Sequence, residues 1–266
     1  MKKFLLVSAL ICSPAVLAHT DQNSSISFNN EQCGIEFKND IRIKPNELEI
    51  FTAEHKTMRF SDQGQLSIDG EVIELTPTQL STLNQYTDNL RGQLPEVANV
   101  ALEGVKIAEV AIGEVAEAFN LSGLEHISTL MDGIHTEVEN TFYQKGAFVM
   151  GQQSFEQFGN HFEQHFESQI EEAVESALMQ SMGSILIALG SEVMGSGGDM
   201  QAFEQRMENM GLQIEAKVEQ QAERLKTRAE SLCEDFTIIA QQEQLVSMQV
   251  PALQGYELFE IKNNIN

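Results

Sequence analysis

A strand region and a helical region meet in the sequence Leu66-Ser-Ile-Asp-Gly-Glu-Val-Ile-Glu-Leu-Thr-Pro-Thr-Gln79. Its first half places alternating apolar residues on both sides of Asp69-Gly70, a pair that tolerates the positive backbone angles of a tight hairpin turn. Its second half is a helix start, because Thr76 can cap a helix, Pro77 suits the first turn and Gln79 completes a capping box. The chain therefore changes from strand to helix within this one stretch.

Upstream of this point, short apolar-polar alternations separated by turn residues cover 33–75. Period-two alternation is typical of strands with one buried face, so we expect a small antiparallel β-sheet over this range. The preceding segment, 19–32, is polar and rich in Ser and Asn. We interpret it as a flexible leader.

Downstream, apolar residues recur at helical spacing and predict helix throughout 76–249. We expect Gly92 and Pro95 to interrupt the first helix, and a further helix to run from Ser122 to about Lys145. Two long helices follow, joined at Gly195-Ser-Gly-Gly198, and should fold back on each other as an antiparallel hairpin.

The C-terminal tail, 250–266, contains Tyr256-Glu-Leu-Phe-Glu-Ile261, which can form a strand that returns to the N-terminal sheet. The predicted fold class is α+β, with a small N-terminal antiparallel β-sheet followed by a mostly helical body with a long antiparallel helical hairpin.

The N-terminus has the three parts of a cleavable export signal over 1–18: Lys2 and Lys3, an apolar run, and small residues before a cleavage site between Ala18 and His19. The apolar run is shorter than the roughly 20 residues that span a bilayer. Ile11 is too bulky for Cys12 to be a lipoprotein cysteine. We therefore predict export to the periplasm, without a transmembrane segment.

The chain is strongly acidic, with a formal net charge of −24, and between Glu96 and Glu204 only Lys106 and Lys145 are basic. Nucleic acids and anionic membranes attract basic surfaces, so this charge argues against both as partners. The acidic run is typical of a solvated face. The alternatives are attraction of a basic partner and loose binding of divalent cations.

Signal cleavage would leave two cysteines, Cys33 and Cys233, in an oxidising compartment. An even number of cysteines there favours a disulfide, and we predict one between Cys33 and Cys233. A regulatory thiol pair and pairing between two chains remain the alternatives.

The one constellation with metal-ligand spacing is His161-Phe-Glu-Gln-His165, which places two imidazoles on one helix face. The alternative is two histidines at the border of a core, because they flank an apolar stripe of Phe155, Phe158, Phe162 and Phe166. A third ligand could come from His126 or His135. That stripe itself is more typical of a core than of a peptide groove.

No Gly-x-Ser-x-Gly sequence and no phosphate-binding loop occurs in the chain, and the sequence predicts no cofactor. Paired carboxylates carry no information in so acidic a protein. Methionines, among them Met182, Met194 and Met200, cluster around the glycine-rich turn and could fill gaps or form an adaptable binding surface.

Several ordered motifs resemble the YggN-like family of exported bacterial proteins of unknown function. They are Cys33 before a strand region, Gly64-Gln-Leu-Ser-Ile-Asp-Gly70 leading into Leu75-Thr-Pro-Thr-Gln79, Leu90-Arg-Gly-Gln-Leu-Pro95, Ser181-Met-Gly-Ser-Ile-Leu186, and Cys233 near the end of a long helix. The resemblance implies a periplasmic location and two well-separated cysteines. It implies no activity and no catalytic residues.

The sequence thus favours a non-enzymatic binding or interaction protein, chaperone-like or envelope-associated, whose partner is an unknown protein or envelope component. Association of identical chains through the helices is a further expectation. The alternatives are a hydrolase acting on envelope material, with its site where sheet and helices meet, and a metal-binding protein built on His161 and His165.

Overall fold

The structure, a computed structural model, describes residues 34–119, 125–176, 179 and 200–261. The strands are β1 (Ile35–Phe37), β2 (Asp40–Lys44), β3 (Glu47–Phe51), β4 (Thr57–Ser61), β5 (Leu66–Ile68), β6 (Glu71–Ile73), β7 (Tyr143–Gln144), β8 (Ala147–Met150) and β9 (Phe259–Ile261). The helices are α1 (Pro77–Phe119), α2 (Glu125–Phe142), α3 (Gln152–Phe162) and α4 (Met200–Gln249). A π-helical turn, Glu163–Glu167, follows α3, and a 3₁₀ turn, Pro251–Leu253, follows α4.

The β5–β6 hairpin forms as the sequence predicts. Asp69 and Gly70 both take positive φ angles, 51° and 90°, which match the twist of the flanking strands. The capping box is also present. The Thr76 backbone N–H donates to Gln79 Oε1 at 2.9 Å, and the Gln79 N–H donates to Thr76 Oγ1 at 3.4 Å, so α1 begins where the strands end.

Seven strands form one antiparallel sheet in the order β6-β5-β4-β3-β2-β8-β7. The prediction of helix throughout 76–249 is wrong at Tyr143–Met150, because this segment is the β7–β8 hairpin, and the helix expected to reach Lys145 ends at Phe142. Lys145 and Gly146 turn the chain with positive φ angles, 52° and 79°. The buried Met150 pairs with Ile41 of β2, so the hairpin extends the sheet and covers part of the core.

The predicted break at Gly92 and Pro95 is also wrong, because α1 is continuous over 43 residues with Pro95 inside it. Proline removes one helical hydrogen bond and usually kinks a helix. Here Leu90, Leu94 and Ala98, on both sides of Pro95, are fully buried. Burial of this face against the rest of the core outweighs the local cost of the proline.

The long antiparallel helical pair consists of α1 and α4. Side-chain hydrogen bonds join Thr82 to Gln249, Asn89 to Gln242, Arg228 to Glu103, and Lys217 to Glu114. Since residue numbers rise along one helix as they fall along the other, the two run antiparallel for roughly 50 Å at 1.5 Å per residue. The glycine-rich turn predicted at 195–198 lies outside the described residues.

After α4 the chain turns back, and β9 pairs antiparallel with β1 as a separate two-stranded sheet, with Phe37 opposite Phe259. The main core lies between the seven-stranded sheet, α1 and the C-terminal half of α4. A second, smaller cluster contains Ile127, Leu130 and Ala173. The α+β prediction, an N-terminal antiparallel sheet followed by a mostly helical body, is confirmed.

Among the described helices, none combines the length and apolar character that crossing a membrane requires.

Candidate functional site

The two histidines singled out by the sequence lie side by side at the end of α3. The ring centroids of His161 and His165 are 4.2 Å apart, and both side chains are exposed. His165 belongs to the π-helical turn that follows α3. Such turns widen the helix locally and are frequent at functional sites.

One nitrogen of each ring is already engaged. His161 Nδ1 lies 2.9 Å from Oε1 of Glu137, which projects from α2 and is mostly buried. His165 Nδ1 lies 3.1 Å from the carbonyl oxygen of His161. A carbonyl and a carboxylate oxygen can only accept, so in the neutral imidazoles both protons sit on Nδ1 and the Nε2 lone pairs are left available.

A third histidine does not join this pair among the described side chains. His135 lies on α2 with its Nδ1 3.8 Å from Glu139, and the side chain of His126 lies outside the described part of the structure. Within the described ranges, no group of three or more His, Cys, Asp or Glu side chains is arranged to hold a metal ion.

The phenylalanine stripe beside the histidines is packed as a row of rings. Phe155 is buried, and its ring centroid lies 5.4 Å from that of Phe142. The ring centroids are 5.9 Å apart between Phe158 and Phe162, and 5.7 Å apart between Phe162 and Phe166. Phe155 and Phe158 join the main core, and Phe166 packs against the smaller cluster. Three of the four rings are therefore core or core-border side chains, as the spacing favours, and Phe162 is half-buried between Phe158 and Phe166.

A second polar site, Glu243 on α4, was not singled out from the sequence. Its carboxylate accepts hydrogen bonds from the Tyr86 hydroxyl, from the Leu258 backbone N–H at 2.6 Å and from the Phe259 backbone N–H at 3.0 Å. Glu243 therefore ties the segment before β9 to both α4 and α1. A signal was present, because Glu243 occupies the apolar face marked by Ile239, Val246 and Val250.

Burial raises the pKa of Glu243 to about 7, although the three donors favour its ionised form. Burial, together with the adjacent carboxylate, also raises the pKa of Tyr86 well above its ordinary value. Glu243 borders a cleft of about 340 Å³, which Lys38, Glu257 and Glu260 also line. A larger open cleft of about 610 Å³ runs along α4 and is lined by residues between Ala216 and Thr227.

The exposed side of α4 near the sheet is unusual in this acidic chain. Between Phe236 and Val250 the only charged residue is the buried Glu243. Three large apolar side chains on this stretch point away from the core: Ile238 is 53% exposed, Leu245 is 51% exposed and Met248 is 67% exposed. We call the surface formed by these three residues the neutral face.

The cysteine and cleavage predictions fall largely outside the described residues, because Ala18, His19 and Cys33 are not among them. Cys233 lies half-buried on α4, one turn before Phe236. The Phe236 ring lies 5.8 Å from that of Phe259, which pairs with Phe37 of β1. The pairing of Cys33 with Cys233 stays a prediction.

A comparison with protein-family models matches residues 33–259 to a family described as protein of unknown function, DUF2884. The chain belongs to the DUF2884 family. Searches of curated proteins and of solved structures found no match. The DUF2884 match includes both predicted disulfide cysteines, the histidine pair and Glu243, but its description carries no activity. The resemblance to exported YggN-like proteins remains a prediction.

Proposed function

We propose that this DUF2884 protein is an exported, non-enzymatic interaction protein that binds apolar segments of basic, incompletely folded proteins in the periplasm. The observation that carries the proposal is the neutral face of α4. The predicted export signal over 1–18 supports a periplasmic location. The acidity of the chain supports a client that is basic.

The neutral face has the composition of a protein contact surface. Ile238 and Leu245 are seven residues apart and therefore lie in line along the helix, and Met248 follows within one further turn. The remaining exposed positions of this stretch are mainly Gln, which carries no charge to desolvate. Leu245 and Met248 lie within one turn of each other, and exposed apolar side chains in line along one helix can form a contact site with a polar border. Met also adapts to differently shaped partners.

The charge of the chain determines which kind of partner the neutral face attracts. The chain carries a net charge of −24 and the neutral face itself carries none, so a client with basic residues flanking an apolar segment is attracted over a distance and then held by apolar contact. A second copy of the same chain carries the same charge and is repelled. Charge complementarity therefore favours a basic client over a homodimer.

An aggregation assay tests the proposal. The mature chain should slow the aggregation of a chemically unfolded basic protein, and should slow that of an unfolded acidic protein much less. Ile238→Glu combined with Leu245→Glu should abolish the effect, because two charges then interrupt the apolar contact. The matched control is Gln220→Glu combined with Thr227→Glu, which adds the same charge to exposed positions of α4 at the same spacing.

Equal protection by the Ile238/Leu245 variant and the wild type would overturn the proposal. Sedimentation velocity gives an independent outcome: a stable dimer that dissociates on Ile238→Glu would assign the neutral face to self-association instead of client binding.

We do not extend the proposal to the hydrolase alternative. The described junction between the sheet and the helices is filled by the apolar core. The cleft beside Glu243 is lined by three glutamates and one lysine without a Ser, Cys or His, and the Glu243 carboxylate is already engaged by three donors. Its arrangement fits an anchor for the C-terminal segment.

A further inference from the structure

We propose that His161 and His165 form a binding site for one divalent transition-metal ion, which the two Nε2 atoms ligate. The remaining coordination positions are open to water. This inference is independent of the proposed client binding, because the residues concerned lie on α3 and its π-helical turn and not on the neutral face of α4.

The first support is the hydrogen bonding of the rings. Glu137 and the His161 carbonyl hold the two Nδ1 protons, so both imidazoles present an unprotonated Nε2 in their neutral form. Metal-bound histidines in proteins almost always donate their other ring N–H to a carboxylate or a backbone carbonyl. Here the His161 ring has a carboxylate partner and the His165 ring has a backbone carbonyl partner before any ion is bound.

The second support is the position of the rings. At 4.2 Å between centroids, His161 and His165 face each other as a pair, and both are open to solvent. The π-helical turn starts between them at Glu163 and contains His165. An ion can therefore reach both nitrogens without unfolding the helix.

The third support is Glu137, which acts as a positioning residue. It lies on a different helix and is mostly buried, so packing between α2 and α3 fixes the orientation of the His161 ring. A carboxylate behind a ligating imidazole fixes the tautomer and the orientation that metal binding needs.

The donor set defines the class of ion. Imidazole nitrogens suit Zn²⁺, Cu²⁺ and Ni²⁺, whereas Mg²⁺ and Ca²⁺ prefer oxygen ligands. Because the described residues include no three-ligand group, we expect an exchangeable site in which solvent completes the coordination. It is not a closed structural zinc centre.

Calorimetric titration with Zn²⁺ tests the site on a mature chain that carries His19→Ala and no affinity tag, because a histidine at the N-terminus can itself chelate the metal through its ring and its amine. Excess Mg²⁺ in the buffer occupies the many surface carboxylates. We expect one Zn²⁺ per chain, and at least a tenfold loss of affinity in His161→Ala and in His165→Ala. His135→Ala should leave the affinity unchanged, because that exposed histidine pairs with Glu139 on α2. Glu137→Gln should weaken binding by about tenfold.

Unchanged stoichiometry and affinity in the double variant of His161 and His165 would overturn the proposal. A second measurement uses the same His19→Ala chain without further variants: the electron paramagnetic resonance spectrum of one equivalent of Cu²⁺ should show coupling to two imidazole nitrogens. A spectrum with oxygen ligands only would contradict the site, whatever the variants do.

Discussion

Two glutamates, Glu49 and Glu243, both expose little surface, but Glu243 lies deeper in the protein and their pKa values move in opposite directions. Burial alone would raise both. Glu49 lies 2.9 Å from Lys44 Nζ and 2.9 Å from Arg59 Nε, and these cations hold the pKa of Glu49 below its ordinary value. Burial desolvates the charge of Glu243, its three hydrogen-bond donors are neutral and Glu257 adds a like charge, so its pKa rises.

The raised pKa of Glu243 predicts how stability depends on pH. Its value of about 7 lies above the ordinary 4.5, so the folded state binds the proton more tightly than the unfolded state. The stabilisation is complete below pH 4.5 and is lost as pH rises through 7, by roughly 3 kcal/mol at most. Urea denaturation of the mature chain between pH 5 and pH 8 should show this loss.

Glu243→Gln separates this effect from general charge repulsion. The variant cannot ionise, so the decrease in the free energy of unfolding between pH 5 and pH 8 should be smaller than in the wild type. Identical slopes in the two proteins would show that the titration of Glu243 does not control this pH range.

At the scale of elements, α1 and α4 are held together mainly by buried apolar side chains. Leu90 and Leu94 of α1 are fully buried, and Phe236 and Ile239 of α4 belong to the same core. Farther along the pair, Arg228 bridges Glu96 and Glu103, but all three side chains are more than a third exposed. Solvent screens such pairs, so they contribute little to stability.

Two substitutions compare these contributions. Leu90→Ala should lower the free energy of unfolding by about 2–5 kcal/mol, because it removes buried methyl groups and leaves a cavity. Arg228→Ala should lower it by about 1 kcal/mol or less, and by less still at high salt. Chemical denaturation measures both. A larger loss in the Arg228 variant would mean that the ion cluster, not the core, holds the two helices together.

The features that the sequence predicted correctly are those that depend on residues close together in the chain. The Asp69-Gly70 turn and the Thr76–Gln79 capping box depend on neighbouring residues, and both are present. The partner of a long helix and the edge on which a hairpin docks depend on distant residues. The pairing of α1 with α4 and of β8 with β2 therefore could not be read from periodicity.

For the candidate sites too, the sequence shows the residues on one helix but not their partners from distant parts of the chain. His161 and His165 are visible as a spaced pair, but the contribution of Glu137 from α2 needs the tertiary structure. The carboxylate of Glu243 could be placed on an apolar helix face, while its donors come from residues 157, 15 and 16 positions away.

For the whole molecule, the prediction that distinguishes an exported protein is the disulfide between Cys33 and Cys233. The contacts of Phe236 with Phe259, and of β9 with β1, support it, because they bring the chain near both cysteines to one region. Mass spectrometry of the exported protein after non-reducing digestion should find the linked peptides. Substitution of both cysteines by Ser should cost about 2–5 kcal/mol of stability.

Two free thiols in the exported protein would contradict the intramolecular bond, and a linked dimer would assign the cysteines to pairing between chains. The same mass spectrometry experiment detects removal of the signal peptide, because the N-terminal peptide of the mature chain should begin at His19.

Hydroxyl-radical footprinting of the methionines shows whether the neutral face of α4 binds basic unfolded clients. Met248 belongs to this face and is 67% exposed, and Met179 is 66% exposed in another part of the chain, so it serves as an internal control. Saturation with an unfolded basic protein should slow the oxidation of Met248 several-fold and leave Met179 unchanged. Unaltered oxidation of Met248, or protection of Met179 instead, would mean that the client does not bind at the neutral face.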